Sequence, residues 1–385
     1  MSRFVELDPG DYALPEPFMC RVLSPALVVY LDHVRENLRR MIDYLGGDVD
    51  RWRPHVKTLK IPAVYAELLR AGVRRFKCAT TREADHLARV LADEGVGDGD
   101  ILVAYPLVGP ALRRLGAIAE AHGETRFAVL CEDPEAVVSI PRGVDLFVDV
   151  NPGMNRTGLE LDEQQTILEV ARRAGDRFRG VHYYDGQFQG DGTFERRQAI
   201  FRCYDALVGL VHFLNRRGVS VGEIVTSGTP AFLHALLYPG FADVTPSVHR
   251  VSPGTVVYHD LRSERENPDL DLVPAAVVFT RIVSRPRADL ATCDAGSKSI
   301  AAEAGDPCAF VLGHPELEPL TPSEEHLPLR AATGSSPPPR GTELLLVPRH
   351  VCPTINLAEQ AILVEAAEVR DVASVSARAH DLLVE

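Results

Sequence analysis

The sequence predicts an α/β fold: a closed (β/α)8 TIM barrel over residues 23–260 and a mainly β C-terminal domain over residues 261–385, with residues 1–22 assigned to the latter. Three observations carry this expectation. Short apolar runs alternate with helical stretches again and again between residues 26 and 237. No glycine-rich dinucleotide fingerprint follows the first run, which disfavours the competing arrangement, a doubly wound sheet. After Asp260 the texture changes to β-like runs without long helices between them.

In order, residues 26–31 (ALVVYL) read as the first strand. The stripe of Val34, Leu38, Met41 and Ile42 then makes the stretch to Leu45 an amphipathic helix. Residues 52–57 are the second strand, with a helix near 64–69, and residues 75–79 (RFKCA) the third, leading into 83–91. Residues 101–105 (ILVAY) precede a helix at 112–121, and 126–131 (RFAVLC) a short one after Asp133 and Pro134. The sixth strand, 146–150 (LFVDV), is followed by a helix over 163–173. The seventh, 179–184 (RGVHYY), is followed by a long helix over 196–215, and the eighth, 223–226 (EIVT), by 230–237. Beyond a charged connector at 261–271, residues 272–282, 309–312, 343–347 and 361–364 read as strands. The stretch 333–341 (TGSSPPPRG) reads as a surface loop.

The net charge of -13, from 41 Lys and Arg against 54 Asp and Glu, argues against a nucleic-acid or anionic-membrane partner. Seven scattered cysteines without a Cys-x-x-Cys pair fit a reducing cytoplasm. Residues 1–20 lack a signal-peptide pattern, and no apolar run approaches the roughly 20 residues a membrane span needs.

In a barrel, chemistry sits at the carboxyl ends of the strands, where Lys57, Thr80, Asn151, Tyr184 and Ser227 fall. If this run is a strand, the period of two puts Arg53, His55 and Lys57 on one face, and three basic groups on a buried face call for an anion, a cofactor or a water-filled site. Desolvation and neighbouring positive charge would free the Lys57 amine to attack a carbonyl and form a Schiff base; the alternative is a solvated loop lysine. The turn NPGMNRTG at 151–158 either aims Arg156 at a phenolate, phosphate or carboxylate or is an ordinary surface turn. TSGTP at 226–230 offers the Ser227 and Thr229 hydroxyls and the approach allowed by Gly228. SPGT at 252–255 adds amides from Gly254 and Thr255, so that the two form either a phosphate cradle or, for the first, a simple helix cap. His350 and Cys352, two apart, could clamp a metal ion and suit zinc, with open positions left for water or substrate.

Taken together and in this order, RPHVKT, KCAT, NPGMNRTG, VHYYDG, TSGTP, SPGTVVYHD, DAGSK and HVCPTIN resemble the D-threonine aldolase / D-serine dehydratase family. That family belongs to the alanine-racemase-like, fold type III pyridoxal-phosphate enzymes, and the resemblance runs from about Ser24 to Leu357. It implies an alanine-racemase-type barrel holding pyridoxal 5'-phosphate, a C-terminal β-domain supplying a divalent metal (zinc, alternatively manganese or magnesium), and a homodimer. Lys57 would tether the cofactor, with His55 beside it in the catalytic group. Arg156 would lie near the phenolic oxygen and Tyr184 near the ring nitrogen. Ser227, Gly228, Thr229, Gly254 and Thr255 would hold the phosphate, and His350 and Cys352 the metal.

The implied activity is a lyase acting on β-hydroxy D-amino acids, a small-molecule substrate. Retro-aldol cleavage gives glycine and an aldehyde; dehydration gives a 2-oxo acid and ammonia. A racemase or epimerase, and a non-catalytic cofactor carrier, are further alternatives. A tyrosine hydroxyl, unlike a carboxylate, does not keep the ring nitrogen protonated, which makes a metal at the β-hydroxyl useful. Leu59 and Gln187 stand where relatives commonly carry histidine, which leaves the base for that hydroxyl open.

Overall fold

The structure, a computed structural model, describes residues 3–188 and 194–382. Contacts divide it into two compact units. One comprises the segment up to Met41, Thr58–Glu67 and Thr255–Arg378; the other comprises Ile42–Lys57, Leu68–Gly254 and the residues from Ala379 on.

In the second unit, parallel strands run in the order Arg75–Cys78, Asp100–Val103, Arg126–Cys131, Val144–Asn151, Phe178–Tyr183, Glu223–Thr226 and Val248–Val251. Residues 52–55 join the two edges of this sheet. Trp52 bridges Val251 and His55 bridges Lys77, both in parallel sense. The Arg53 N–H donates to Val251 O and the Lys77 N–H to Pro54 O, each at 2.9 Å. The ring is thereby closed as a β/α barrel, and helices such as Thr81–Asp93, Gly109–Ala121, Gln164–Ala174 and Phe194–Arg216 alternate with its strands.

Two expectations about strands are corrected. Ala26–Tyr30 is not a barrel strand: it pairs antiparallel with Ala276–Arg287 and parallel with Gln360–Glu365 in the other unit. A continuous apolar run suits any buried strand, so its pattern cannot say which sheet takes it. The last barrel strand is instead Val248–Val251 (VHRV). Its polar residues are neutralised in place: Arg250 meets Asp50 Oδ2 at 2.6 Å and Glu223 Oε2 at 3.0 Å, and His249 Nε2 meets Thr226 Oγ1 at 2.8 Å. With this strand in the barrel, the loops carrying Gly228 and Gly254 follow its last two strands.

Arg53 also departs from expectation. It is fully buried and serves the amino ends of the strands rather than a mouth. Its Nε and Nη2 donate to Glu223 Oε1 and Oε2 at 2.6 and 2.8 Å, and its Nη1 to Asp100 Oδ1 at 2.8 Å. Arg179 donates to Asp100 Oδ2 at 2.6 Å. Burial works against the Asp100 charge, but Arg53 and Arg179 hold its carboxyl well below the usual range.

The first unit is built on a largely antiparallel sheet in the order Leu317–Pro319, Leu327–Ala331, Leu290–Cys293, Ala276–Arg287, Ala26–Tyr30, Gln360–Glu365 and Glu368–Ser374. Glu343–Pro348 pairs with both Ala276–Arg287 and Ala309–Val311. Phe4, Tyr12, Val28, Phe279, Val347 and Ile362 share one apolar cluster. Residues 333–341 form no helix or strand.

Candidate active site

The extended stretch 52–55 ends where the chain tightens into the 3-10 turn Val56–Thr58, and this turn presents Lys57 exposed. The Lys57 N–H donates to His55 Nδ1 at 3.4 Å. The Lys57 charge is felt by Lys77 within the barrel, alongside those of Arg156, Asp149 and Asp185.

Arg156 rides on the loop after Val144–Asn151, which Asn151 shapes. Asn151 Oδ1 accepts from the Gly153 and Asn155 N–H groups at 3.0 Å each. Gly158 packs so closely that a Cβ would come 2.7 Å from Asn151 N. The result is an arginine whose Cζ stands 4.7 Å from the centroid of the Tyr184 ring. Tyr184 follows Phe178–Tyr183 and is half-buried. Two glycines make room for it: a Cβ at Gly186 would meet its ring at 2.4 Å, and one at Gly228 at 2.9 Å.

The Gly228 and Gly254 loops leave the adjacent strands Glu223–Thr226 and Val248–Val251, and the Ser252 N–H donates to Ser227 O at 3.0 Å. A Cβ at Gly254 would lie 2.1 Å from His55 O, so only glycine lets this loop run against the Lys57 segment. Thr229 is buried in the first loop. The helix expected at 230 begins at Phe232 and runs only to Leu237. It therefore offers no substantial dipole end, and the loop amides would have to hold the phosphate.

Ser227 is placed differently from expectation. Its φ of 59° turns its hydroxyl inward, where it donates to Asp185 Oδ2 at 3.1 Å and meets Tyr204 Oη at 2.9 Å. Tyr204 Oη also donates to Asp185 Oδ2 at 2.5 Å. Burial pushes the Asp185 carboxyl up to about 6 against these hydrogen bonds. Ser227 thus has only its backbone to offer a phosphate. Thr80, expected at a strand end as a candidate for chemistry, is a helix cap: its Oγ1 accepts from the Glu83 N–H at 3.0 Å while Glu83 Oε2 accepts from the Ala79 N–H at 2.7 Å.

The sequence reading gave no role to Lys77, His182 or Asp149. His182 Nδ1 lies 2.7 Å from Asp149 Oδ1, and Lys77 Nζ lies 3.5 Å from His182 Nε2 and 5.5 Å from the centroid of the Tyr184 ring. A lysine in the middle of an apolar strand was the available signal.

The metal-ligand candidates belong to the other unit. His350 Nδ1 pairs with Glu303 Oε1 at 2.9 Å, and its imidazole hydrogen-bonds the Cys352 side chain. Burial opposes charge on this ring, but Cys352, Asp260 and Glu303 outweigh it and raise the imidazole to about 9. Cys352 Sγ is 3.0 Å from Thr58 Oγ1 and 3.5 Å from Thr255 Oγ1. Thr255 is thus turned toward the thiol by its side chain. Among the described residues no group of three or more His, Cys, Asp or Glu side chains is arranged to hold a metal. An imidazole and a thiol in contact nevertheless form a donor pair that a divalent ion accepts, with Glu303 fixing the ring. Leu59 is fully buried, and the Gln187 amide donates to Pro152 O at 2.8 Å, so neither position supplies a base.

The residues present also fit pyridoxal phosphate: a lysine at a strand end, an arginine and a phenol at ring-contact distance, and two adjacent loops at which a Cβ would collide with His55 or Tyr184. Comparison with known proteins points the same way. A family model described as the alanine racemase N-terminal domain matches residues 29–261, and a serine dehydratase domain model matches residues 275–364. D-threonine aldolase of an Arthrobacter species is 28% identical over an alignment of 387 positions that covers 95% of this chain and 97% of the relative. D-threo-3-hydroxyaspartate dehydratase of a Delftia species is 24% identical over an alignment of 359 positions that covers 86% of this chain and 91% of the relative. The solved structure of D-threonine aldolase from Filomicrobium marinum matches with a TM-score of 0.80 at 27% identity, covering 93% of this chain and 95% of the other.

Proposed function

Because the chain belongs to the alanine racemase N-terminal-domain family, we propose that it is a pyridoxal-phosphate-dependent lyase cleaving β-hydroxy D-amino acids to glycine and an aldehyde, in the manner of D-threonine aldolase. The observation that carries this reading is the gathering of Lys57, Arg156, Tyr184 and the Gly228 and Gly254 loops at the carboxyl ends of the barrel strands.

When bound, pyridoxal phosphate withdraws electrons from the substrate's α-carbon and weakens the bonds to it, and a divalent ion acidifies the β-hydroxyl. Lys57 would hold the cofactor through its amine and, as the group at the strand end, would move a proton at the α-carbon. Arg156 would supply positive charge to the cofactor's phenolic oxygen, and Tyr184 would offer its ring nitrogen a hydroxyl in place of a carboxylate. Backbone amides of the Gly228 and Gly254 loops, with Thr229, receive the phosphate. His350 and Cys352 would hold the ion, for which zinc suits the donor pair and manganese or magnesium are the alternatives. With Leu59 and Gln187 unable to take a proton, His55 is the imidazole that remains beside Lys57.

Dehydration to a 2-oxo acid and ammonia is the second reading, favoured by the likeness to the Delftia dehydratase and by the thiol at position 352. Incubation with D-threonine separates the two: glycine plus acetaldehyde supports aldol cleavage, whereas 2-oxobutyrate plus ammonia overturns it in favour of dehydration. The reading carries with it a homodimer, to be checked by light scattering, and a cytoplasmic location consistent with seven cysteines of which none is in a disulfide. No helix among the described residues is long and apolar enough to cross a membrane.

A further inference from the structure

Lys77 has no part in the reaction as described, yet the fold keeps it at a cost. It sits inside Arg75–Cys78 between the buried Phe76 and Cys78 and is itself 1% exposed. An ammonium so placed loses its water and must be met by other groups. What meets it is a relay. The Asp149 carboxylate faces His182 Nδ1 at 2.7 Å, which holds the ring proton on that nitrogen and leaves Nε2 to accept from Lys77 Nζ at 3.5 Å. Burial keeps His182 neutral despite Asp149. Asp149 stays ionised because, against its own burial, His182, the Thr157 hydrogen bond and the Arg156 charge together favour the carboxylate. Beyond the relay, Lys77 Nζ stands 5.5 Å from the Tyr184 ring centroid.

We propose that Lys77, wired to Asp149 through His182, is a positioning residue of the cofactor pocket that delivers a positive charge to the underside of the Tyr184 ring. This rests on the reading of Tyr184 as the neighbour of the cofactor's ring nitrogen. A phenol gives that nitrogen no charge, and an ammonium beneath the phenol draws electron density in the direction that the reaction requires. The charge is conditional. Burial, Lys57 and Arg156 pull the Lys77 amine down to about 7, while Asp185 and Asp149 pull it up. One proton is therefore exchanged at this buried nitrogen in the neutral range, and the charge is present on the acid side and absent on the alkaline side.

Two readouts test this. Protein carrying 13C at the lysine Cε, free of cofactor, is titrated by NMR. One lysine signal should titrate near neutrality, vanish in Lys77→Met and move to lower pH in Asp149→Asn. The holoenzyme's visible absorbance is then followed against pH. An inflection in the same range should disappear in Lys77→Met and shift down in Asp149→Asn, while Lys77→Arg should hold the acid-side spectrum across the range because its guanidinium does not deprotonate. Identical inflections in wild type and Lys77→Met, or no lysine titrating below about pH 9, would overturn the inference. If Lys77→Met does not fold, the displacement in Asp149→Asn decides. A colourless wild type overturns the cofactor reading itself, and is distinguishable from colour whose pH dependence these substitutions leave unmoved.

Discussion

Tyr184 keeps its place because Gly186 and Gly228 have no side chain to contest it, and the turn at Gly254 runs against His55 for the same reason. A methyl group at Gly254 would strike backbone, which cannot swing aside as a side-chain tip can. Gly254→Ala is expected to cost about 1–3 kcal/mol in urea unfolding of the cofactor-free protein and to weaken cofactor binding in an absorbance titration. An unchanged affinity would remove this loop from the cradle. Asp185 allows a second prediction. Its carboxyl is raised from 3.8 to about 6, so the folded protein holds this proton more tightly than the unfolded chain does. Its contribution to stability is therefore full below about pH 4 and is lost as pH rises through 6. Asp185→Asn should flatten the stability profile between those values, measured by urea unfolding at a series of pH values.

Among the elements, the barrel strands owe their closure to residues 52–55 and their anchoring at the amino ends to Arg53. Arg53→Met takes the shared guanidinium from the buried Asp100 and Glu223, leaving them only Arg179 and Arg250, and should cost about 3–5 kcal/mol by denaturant unfolding. Because the Asp100 carboxyl is depressed in the folded state, the stability it contributes is present above the ordinary carboxylate range and is lost as pH falls. The variant's acid unfolding should accordingly be shallower than that of the wild type. The apolar runs and their helices made the alternation legible in the sequence, and the strand ends placed Lys57, Arg156 and Tyr184. Pattern alone could not say that Ala26–Tyr30 pairs in another sheet, because a run buried on both faces looks the same in either. VHRV escaped notice because the Arg250 charge is balanced by Asp50 and Glu223 and the His249 ring is met by Thr226, all remote in sequence. Ser227 was read by its hydroxyl, whereas the positive φ that turns that hydroxyl away belongs to backbone geometry.

At the scale of the molecule, a chain of net charge -13 gathers Lys77 and Arg156 at one tyrosine ring, with Lys57 close enough for Lys77 to feel its charge, a local concentration of positive groups suited to an anionic cofactor. The imidazole–thiol pair at His350 and Cys352 gives a separable prediction: dialysis against a chelator should abolish turnover and leave the cofactor colour, with activity restored by zinc, manganese or magnesium. Activity that survives chelation would take the metal out of the reaction. The claim on which the rest depends is the covalent tether, and reduction of the cofactor-loaded protein with borohydride followed by peptide mass spectrometry reads it directly. The account predicts the reduced cofactor on Lys57 and none in Lys57→Ala; a label on another lysine, or on none, would contradict it.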